Sequence, residues 1–163
     1  MADPSVRFRF AGPDDVAAIV ALLADDALGQ GREVDQDQAV YLKAFGEMET
    51  QSQNKYLLAV DQNDDIQGCV QISVIAGLSR SGMKRAQLEG IRVADAARGQ
   101  GIGRQLMSEA HAIAKNWGCG LVQLTTDRAR RDALRFYENL GYRKSHHGMK
   151  LTLKKMAQIA IEK

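Results

Sequence analysis

Val6, Phe8 and Phe10 alternate with Arg7 and Arg9, the two-residue period of a half-buried strand. Gly12-Pro13-Asp14-Asp15 then suits a helix start, with proline in the first turn and carboxylates at the positive end of the dipole. Val16, Ile19, Val20 and Leu23 give that helix one apolar face. Asp25 to Glu33 holds two glycines and no period, so it reads as a loop, and Asp35 to Gln51 reads as a second helix held by Val40, Ala44, Phe45 and Met48. Lys55 to Val60 and Ile66 to Ile75 are strand-like around the polar turn Asp61 to Asp65, and Gly77 to Gly82 is another turn. Lys84 to Val93 is the next strand, and a period of two sets Leu88 opposite Glu89, Ile91 and Val93. A long helix runs from Gly99 to Asn116, with the stripe Ile102, Leu106, Ala110, Ile113 and Trp117. A short strand at Leu121 to Thr125, a helix at Asp132 to Leu140 closed by Gly141, and a last strand or strand pair at Tyr142 to Leu153 complete the order. The tail Lys154 to Lys163 is weakly amphipathic. The result is an α/β chain with a mixed sheet, mostly antiparallel in its first half because short turns join those strands.

Composition narrows what such a fold does. With 163 residues, 45% hydrophobic and 26% charged, one domain spanning 1–163 is expected, without repeat or linker. The longest apolar run, Val16 to Ala24, is about half the ~20 residues that a membrane span needs, and MADPSVRFRF is charged where a signal peptide is apolar. A net charge of +2 argues against nucleic-acid or anionic-membrane partners. Cys69 and Cys119 lack metal or CxxC spacing and read as free thiols, so the expected location is the cytoplasm.

Arg98-Gly99-Gln100-Gly101-Ile102-Gly103-Arg104 lies between a strand and the long helix. Glycines there admit close backbone approach, and the first free N–H groups of a helix with its dipole form an anion site suited to phosphate. Arg98 and Arg104 add positive charge. A dinucleotide fingerprint needs GxGxxG early in the chain with an acidic residue about 20 positions on, where this sequence has Gln123; a P-loop string is absent.

The turn is preceded by Leu88-Glu89-Gly90-Ile91-Arg92-Val93, and together they resemble motif A of the GNAT superfamily of N-acetyltransferases. Asp132-Ala133-Leu134-Arg135-Phe136-Tyr137-Glu138-Asn139-Leu140-Gly141-Tyr142 resembles motif B of the same superfamily, in the expected order and separation. The resemblance implies the acyl-CoA N-acyltransferase fold, its mostly antiparallel sheet splayed between strands 4 and 5 and flanked by helices. It implies acetyl-CoA as co-substrate: the backbone of Ile91, Arg92 and Val93 along the pantetheine arm, and the amides of Gly99, Gln100, Gly101, Ile102, Gly103 and Arg104, with the Arg98 cation, around the pyrophosphate. An amide near Ile91 to Val93 would polarise the thioester carbonyl.

Acetyl transfer to an amine needs a base for the ammonium proton, a polarised carbonyl and a proton for the leaving thiolate. Glu89 is the candidate base, on the same strand face as Val93 by period two; the alternative is a strand carboxylate paired with Arg92 or Lys84. Gln87 lies on that face too. Tyr137 is the candidate acid, matching the motif B tyrosine that faces the CoA sulfur in the family, while Phe136 packs in the core. Many members carry an asparagine seven residues before that tyrosine. Here the position is Arg130, in a basic run with Arg128 and Arg131, and Asp127 is the nearest substitute. No metal is expected, since His111, His146 and His147 do not fall at ligand spacing with Cys or carboxylates.

In the family the acceptor site is built by the first two helices and their loop. Here that region carries Asp25, Asp26, Glu33, Asp35, Asp37, Glu47 and Glu49 against Arg32 and Lys43, an excess that either attracts a cationic amine or caps helices. YRKSHHGMK, from Tyr142 to Lys150, is similar to small-molecule acetyltransferases, among them those acting on aminoalkylphosphonates. The expectation is transfer to a small-molecule primary amine by direct attack in a ternary complex. The alternatives are a protein or peptide N-acetyltransferase and a non-catalytic acyl-CoA sensor. Homodimers are common in the family, and no interface is specified here.

Overall fold

The computed structural model describes residues 6–25 and 37–153. The expectations for Asp26, Arg32, Glu33, Asp35 and the tail 154–163 lie outside the described residues. The chain forms two compact units, residues 1–124 and 125–163.

The first unit holds one sheet in the order β1 (Arg7–Phe10), β2 (Asn54–Val60), β3 (Ile66–Ile75), β4 (Lys84–Val93) and β5 (Cys119–Leu124). Neighbours are antiparallel except β4 and β5, which are parallel. The antiparallel pairs are those joined by short polar turns, or by the helical pair for β1 and β2; the parallel pair needs the helical crossover between its strands. Alternation sorts the sheet residues between two faces. Leu58, Val60 and Cys69 pack against Ile19, Leu22 and Leu23 of α1 (Val16–Ala24), and α2 (Gln38–Glu49) lies beside it. On the other face, α4 (Ile102–Asn116) buries Ile102, Leu106, Met107, Ala110 and Ala114. The four-residue spacing of that stripe keeps it on one side of the helix. A Cβ at Gly68 would meet the Leu106 side chain at 3.5 Å, so the helix rides close to β3. Trp117, expected in the stripe, is half-buried and stacks on Phe10 at 6.0 Å. One short helical turn, α3 (Ser79–Gly82), joins β3 to β4 with Arg80 and Ser81 in the left-handed region.

The second unit carries α5 (Arg131–Asn139), one residue ahead of the expected start. The strand expected at Tyr142 to Leu153 does not form among the described residues. Met149, Leu151 and Leu153 do alternate, but they are 94%, 85% and 88% exposed. A two-residue period marks a strand only when a neighbouring ladder and a core face receive it.

Candidate active site

β4 pairs with β5 only as far as Leu88 opposite Leu124. Beyond that point β4 continues through Glu89 to Val93, in register with β3 alone. The pairing of the two strands thus ends ahead of Glu89 to Val93, the segment that the resemblance assigns to the cofactor.

A bulge interrupts this free stretch. Gln71 faces Glu89 and Cys69 faces Arg92, so Gly90 and Ile91 together oppose Val70. Gly90 has φ +58°, a conformation that costs L side chains energy and that glycine adopts freely. The buried Cys69 thiol donates to the Gly90 carbonyl at 3.6 Å, and burial pushes that thiol up to about 12, so it stays protonated. The extra residue corrects the face assignment made from simple alternation. Gln87, Glu89 and Arg92 share the α1 face through Ser73, Gln71 and Cys69, whereas Val93 joins Leu88 on the α4 face. Period two holds for an unbroken strand and inverts across one inserted residue.

Glu89 is exposed and makes no ion pair among the described residues, neither with Arg92 nor with Lys84. Gln87 accepts from the Gln123 amide at 2.9 Å across the parallel pair. Arg92 Nη1 donates to the Ile91 carbonyl at 2.9 Å, and Arg98 Nε donates to the Val93 carbonyl at 3.4 Å. Two carbonyls of the expected pantetheine edge therefore already accept from arginines. Arg98 also pairs with Asp95, which holds its guanidinium against the short 3-10 turn Asp95–Ala97.

From that turn the chain swings into α4 through Gly99 (φ +74°) and Gly101 (φ +81°). Gly101 is the N-cap, and the first helical bond is Gln105 N–H to the Gly101 carbonyl at 3.1 Å. The amides of Ile102, Gly103 and Arg104 accordingly lack intrahelical acceptors, and the positive end of a 15-residue helix sits there. Nothing lies within 4 Å of a Cβ built on Gly99, so the turn is open on that side.

On the α1 face, beside Glu89, is a chamber of about 130 Å³. Val16, Ile19, Val20 and Leu23 of α1, Tyr41, Ala44, Phe45 and Met48 of α2, and Tyr56 and Gln71 of the sheet line it. Two of the carboxylates expected in this region are engaged elsewhere: Asp37 caps α2 through the Ala39 amide, and Glu49 pairs with Lys55 at 2.7 Å. Gln71 Nε2 donates to Asn54 Oδ1 at 2.9 Å, while Asn54 donates to Gln51. Tyr56 and Gln71 were not singled out by the sequence, although each is a polar-tipped residue next to apolar positions of its strand.

Glu89, Ile91 to Val93 and the turn Arg98 to Arg104 are all in the first unit; Tyr137 is in the second. Tyr137 is buried and packs edge-on to Phe136 (5.3 Å) and Tyr142 (5.9 Å), whereas Phe136, expected in the core, is only half-buried. The Tyr142 hydroxyl is pushed above its ordinary value by burial and then by its neighbour Tyr137. Asp127 shapes the loop before α5 by accepting from the Ala129 amide at 2.9 Å. Among the described residues no group of three metal-ligating side chains comes together, and no helix is long and apolar enough to cross a membrane.

The acetyltransferase (GNAT) family model matches residues 17–142. The aminoalkylphosphonate N-acetyltransferase of Salmonella typhimurium is 27% identical over 143 residues, covering 88% of each chain. A structure described as a transcriptional regulator from Bacillus halodurans C-125 is 42% identical, with a TM-score of 0.86 over 91% of this chain and all of that one. The crystal structure of "predicted acetyltransferase with acetyl-CoA" from Clostridium acetobutylicum superposes with a TM-score of 0.72 at 16% identity, covering 91% of this chain and 97% of that one.

Proposed function

The chain belongs to the acetyltransferase (GNAT) family, and on that premise we propose that it is an N-acetyltransferase moving the acetyl group of acetyl-CoA directly to the primary amine of a small molecule. The observation that carries this reading is the free run of β4 from Glu89 to Val93, followed at once by the open glycine turn into α4. A strand edge without a neighbour can pair with the amide-bearing arm of a ligand, and a bare helix N-terminus can hold its pyrophosphate. Acetyl-CoA presents both in that order and supplies an activated thioester. The family match crosses both compact units, which supports treating residues 1–163 as one catalytic domain.

In this reading Ile91, Arg92 and Val93 lie along the pantetheine arm, and Arg98, Gly99, Gln100, Gly101, Ile102, Gly103 and Arg104 surround the phosphates. A backbone amide at the bulged end of β4 polarises the thioester carbonyl. Glu89 removes a proton from the ammonium so that a nitrogen lone pair attacks the carbonyl carbon. Tyr137 donates to the departing thiolate as the C–S bond breaks. No enzyme-bound acetyl group is required.

Calorimetric titration with acetyl-CoA, followed by thiol-release assays over a panel of amines, tests the proposal. Saturable binding with turnover on one amine class is the expected outcome. Gly101→Glu should abolish binding by placing bulk and negative charge at the phosphates. Gly103→Glu, inside the helix and outside the positive-φ set, should do so without backbone strain. Unchanged affinity in both variants would remove the turn from the cofactor site.

A second reading, an acyl-CoA-binding regulatory module, is favoured by the 42% identical structure described as a transcriptional regulator. Tight acetyl-CoA binding with no thiol release on any amine would select it.

A further inference from the structure

The chamber beside Glu89 carries information about which amine enters. Resting on the reading above, we propose that it receives the apolar tail of the acceptor, so that the substrates are primary amines bearing an aromatic ring or a short aliphatic chain on a one- or two-carbon arm.

Three observations converge on this assignment. First, the described lining is apolar apart from the tips of Tyr41, Tyr56 and Gln71, and no lysine, arginine or histidine is among those described residues. Against those side chains a phosphorylated or phosphonylated tail would lose its hydration without a cation to replace it. Arg92 is on the same sheet face, but it is not among the lining residues. Second, the volume of about 130 Å³ is close to that of an apolar cavity known to hold one benzene ring, roughly 150 Å³. Third, one lining residue is the direct neighbour of the carboxylate that would handle an ammonium. Gln71 lines the chamber and is the direct cross-strand partner of Glu89, which puts the two side chains side by side on one face. The Gln71 amide nitrogen is committed to Asn54, which leaves its carbonyl oxygen to accept from an ammonium N–H. Tyr56 ties the chamber to the bulge, since its hydroxyl lies 2.9 Å from where a Gly90 Cβ would be. An amine held by Glu89 and Gln71 thus has its tail directed among Ile19, Leu23 and Phe45. The phosphonate tail in the name of the Salmonella relative is a poor match for this lining.

A matched trio of acceptors separates tail chemistry from amine chemistry: phenethylamine, ethylamine and 2-aminoethylphosphonate. Thiol release by the wild-type protein should give a kcat/KM for phenethylamine at least tenfold above ethylamine, with 2-aminoethylphosphonate the slowest. Equal or faster turnover of the phosphonate would overturn the proposal while leaving the acetyltransferase reading intact. A parallel arm measures phenethylamine binding by calorimetry in the presence of CoA, which needs no turnover. Ala44→Phe, at a partly open point of the lining, should weaken that binding at least tenfold, with acetyl-CoA affinity and melting temperature as controls for folding. Phenethylamine binding that is absent in the wild type, or unmoved by Ala44→Phe, would sink the chamber assignment. Phenethylamine binding without thiol release from any amine would uphold the chamber and instead remove the catalytic reading.

Discussion

In the proposed mechanism Glu89 takes a proton and Tyr137 gives one, and the settings of the two side chains differ. Glu89 is exposed one residue past the end of the β4–β5 pairing, with its carboxylate free of ion pairs among the described residues, so it is available to a cationic acceptor. Tyr137 is buried among rings. Glu89→Gln should lower kcat/KM about 10²-fold at neutral pH, with most of the loss recovered as pH approaches the pKa of the amine itself, because free amine then needs no base. Tyr137→Phe should lower kcat about 10²-fold with acetyl-CoA affinity unchanged. Rates over pH together with calorimetric affinities check both, and a fully active variant removes that residue from the mechanism. Both candidates come from the motif resemblance in the sequence. Tyr56 and Gln71 do not, because only the fold shows that β2 and β3 turn those polar tips toward one chamber.

At the scale of elements, β4 shows where pattern reading ends. Its limits, Lys84–Val93, follow from the alternation of the sequence, but the bulge does not, since Gly90 in a strand is equally compatible with plain extension. The bulge reverses the face of every later residue and re-aims the end of the strand beside the chamber. Gly90→Ala should therefore cost about 2 kcal/mol, from the left-handed φ and from a methyl 2.9 Å from the Tyr56 hydroxyl. Urea denaturation measures this, and a neutral effect would show that the bulge relaxes easily. The failed strand at Tyr142 to Leu153 is the converse case: its two-residue period is present in the sequence, and a receiving ladder is not present among the described residues.

For the molecule as a whole, the antiparallel pairing of the first strands followed from short turns readable in the chain, whereas the closing of β1 onto the helical layer depends on a charge cluster that no periodicity reveals. Arg9 grips Asp15 with two bonds of 2.8 Å and also reaches Asp64 at 2.9 Å, while Asp15 accepts the Gly12 amide at 2.7 Å. Hydrogen bonding to Arg9 holds the Asp15 carboxyl below its usual range. The folded protein keeps Asp15 ionised where the unfolded chain protonates it, so the stability it supplies is complete above about pH 4 and is lost as the pH falls further. Asp15→Asn should cost about 1–2 kcal/mol at pH 7, and the difference from wild type should shrink toward pH 2. Thermal denaturation against pH follows this, and a gap that persists in acid would contradict the linkage.

The claim on which the rest depends is that acetyl-CoA lies along the free end of β4 and over the start of α4. Backbone amide spectra of ¹⁵N-labelled protein, recorded as acetyl-CoA is added, test it residue by residue. The account predicts saturable shifts concentrated at Ile91 to Val93 and Gly99 to Arg104, absent in Gly103→Glu. Saturable shifts that spare both segments would place the ligand elsewhere and contradict it.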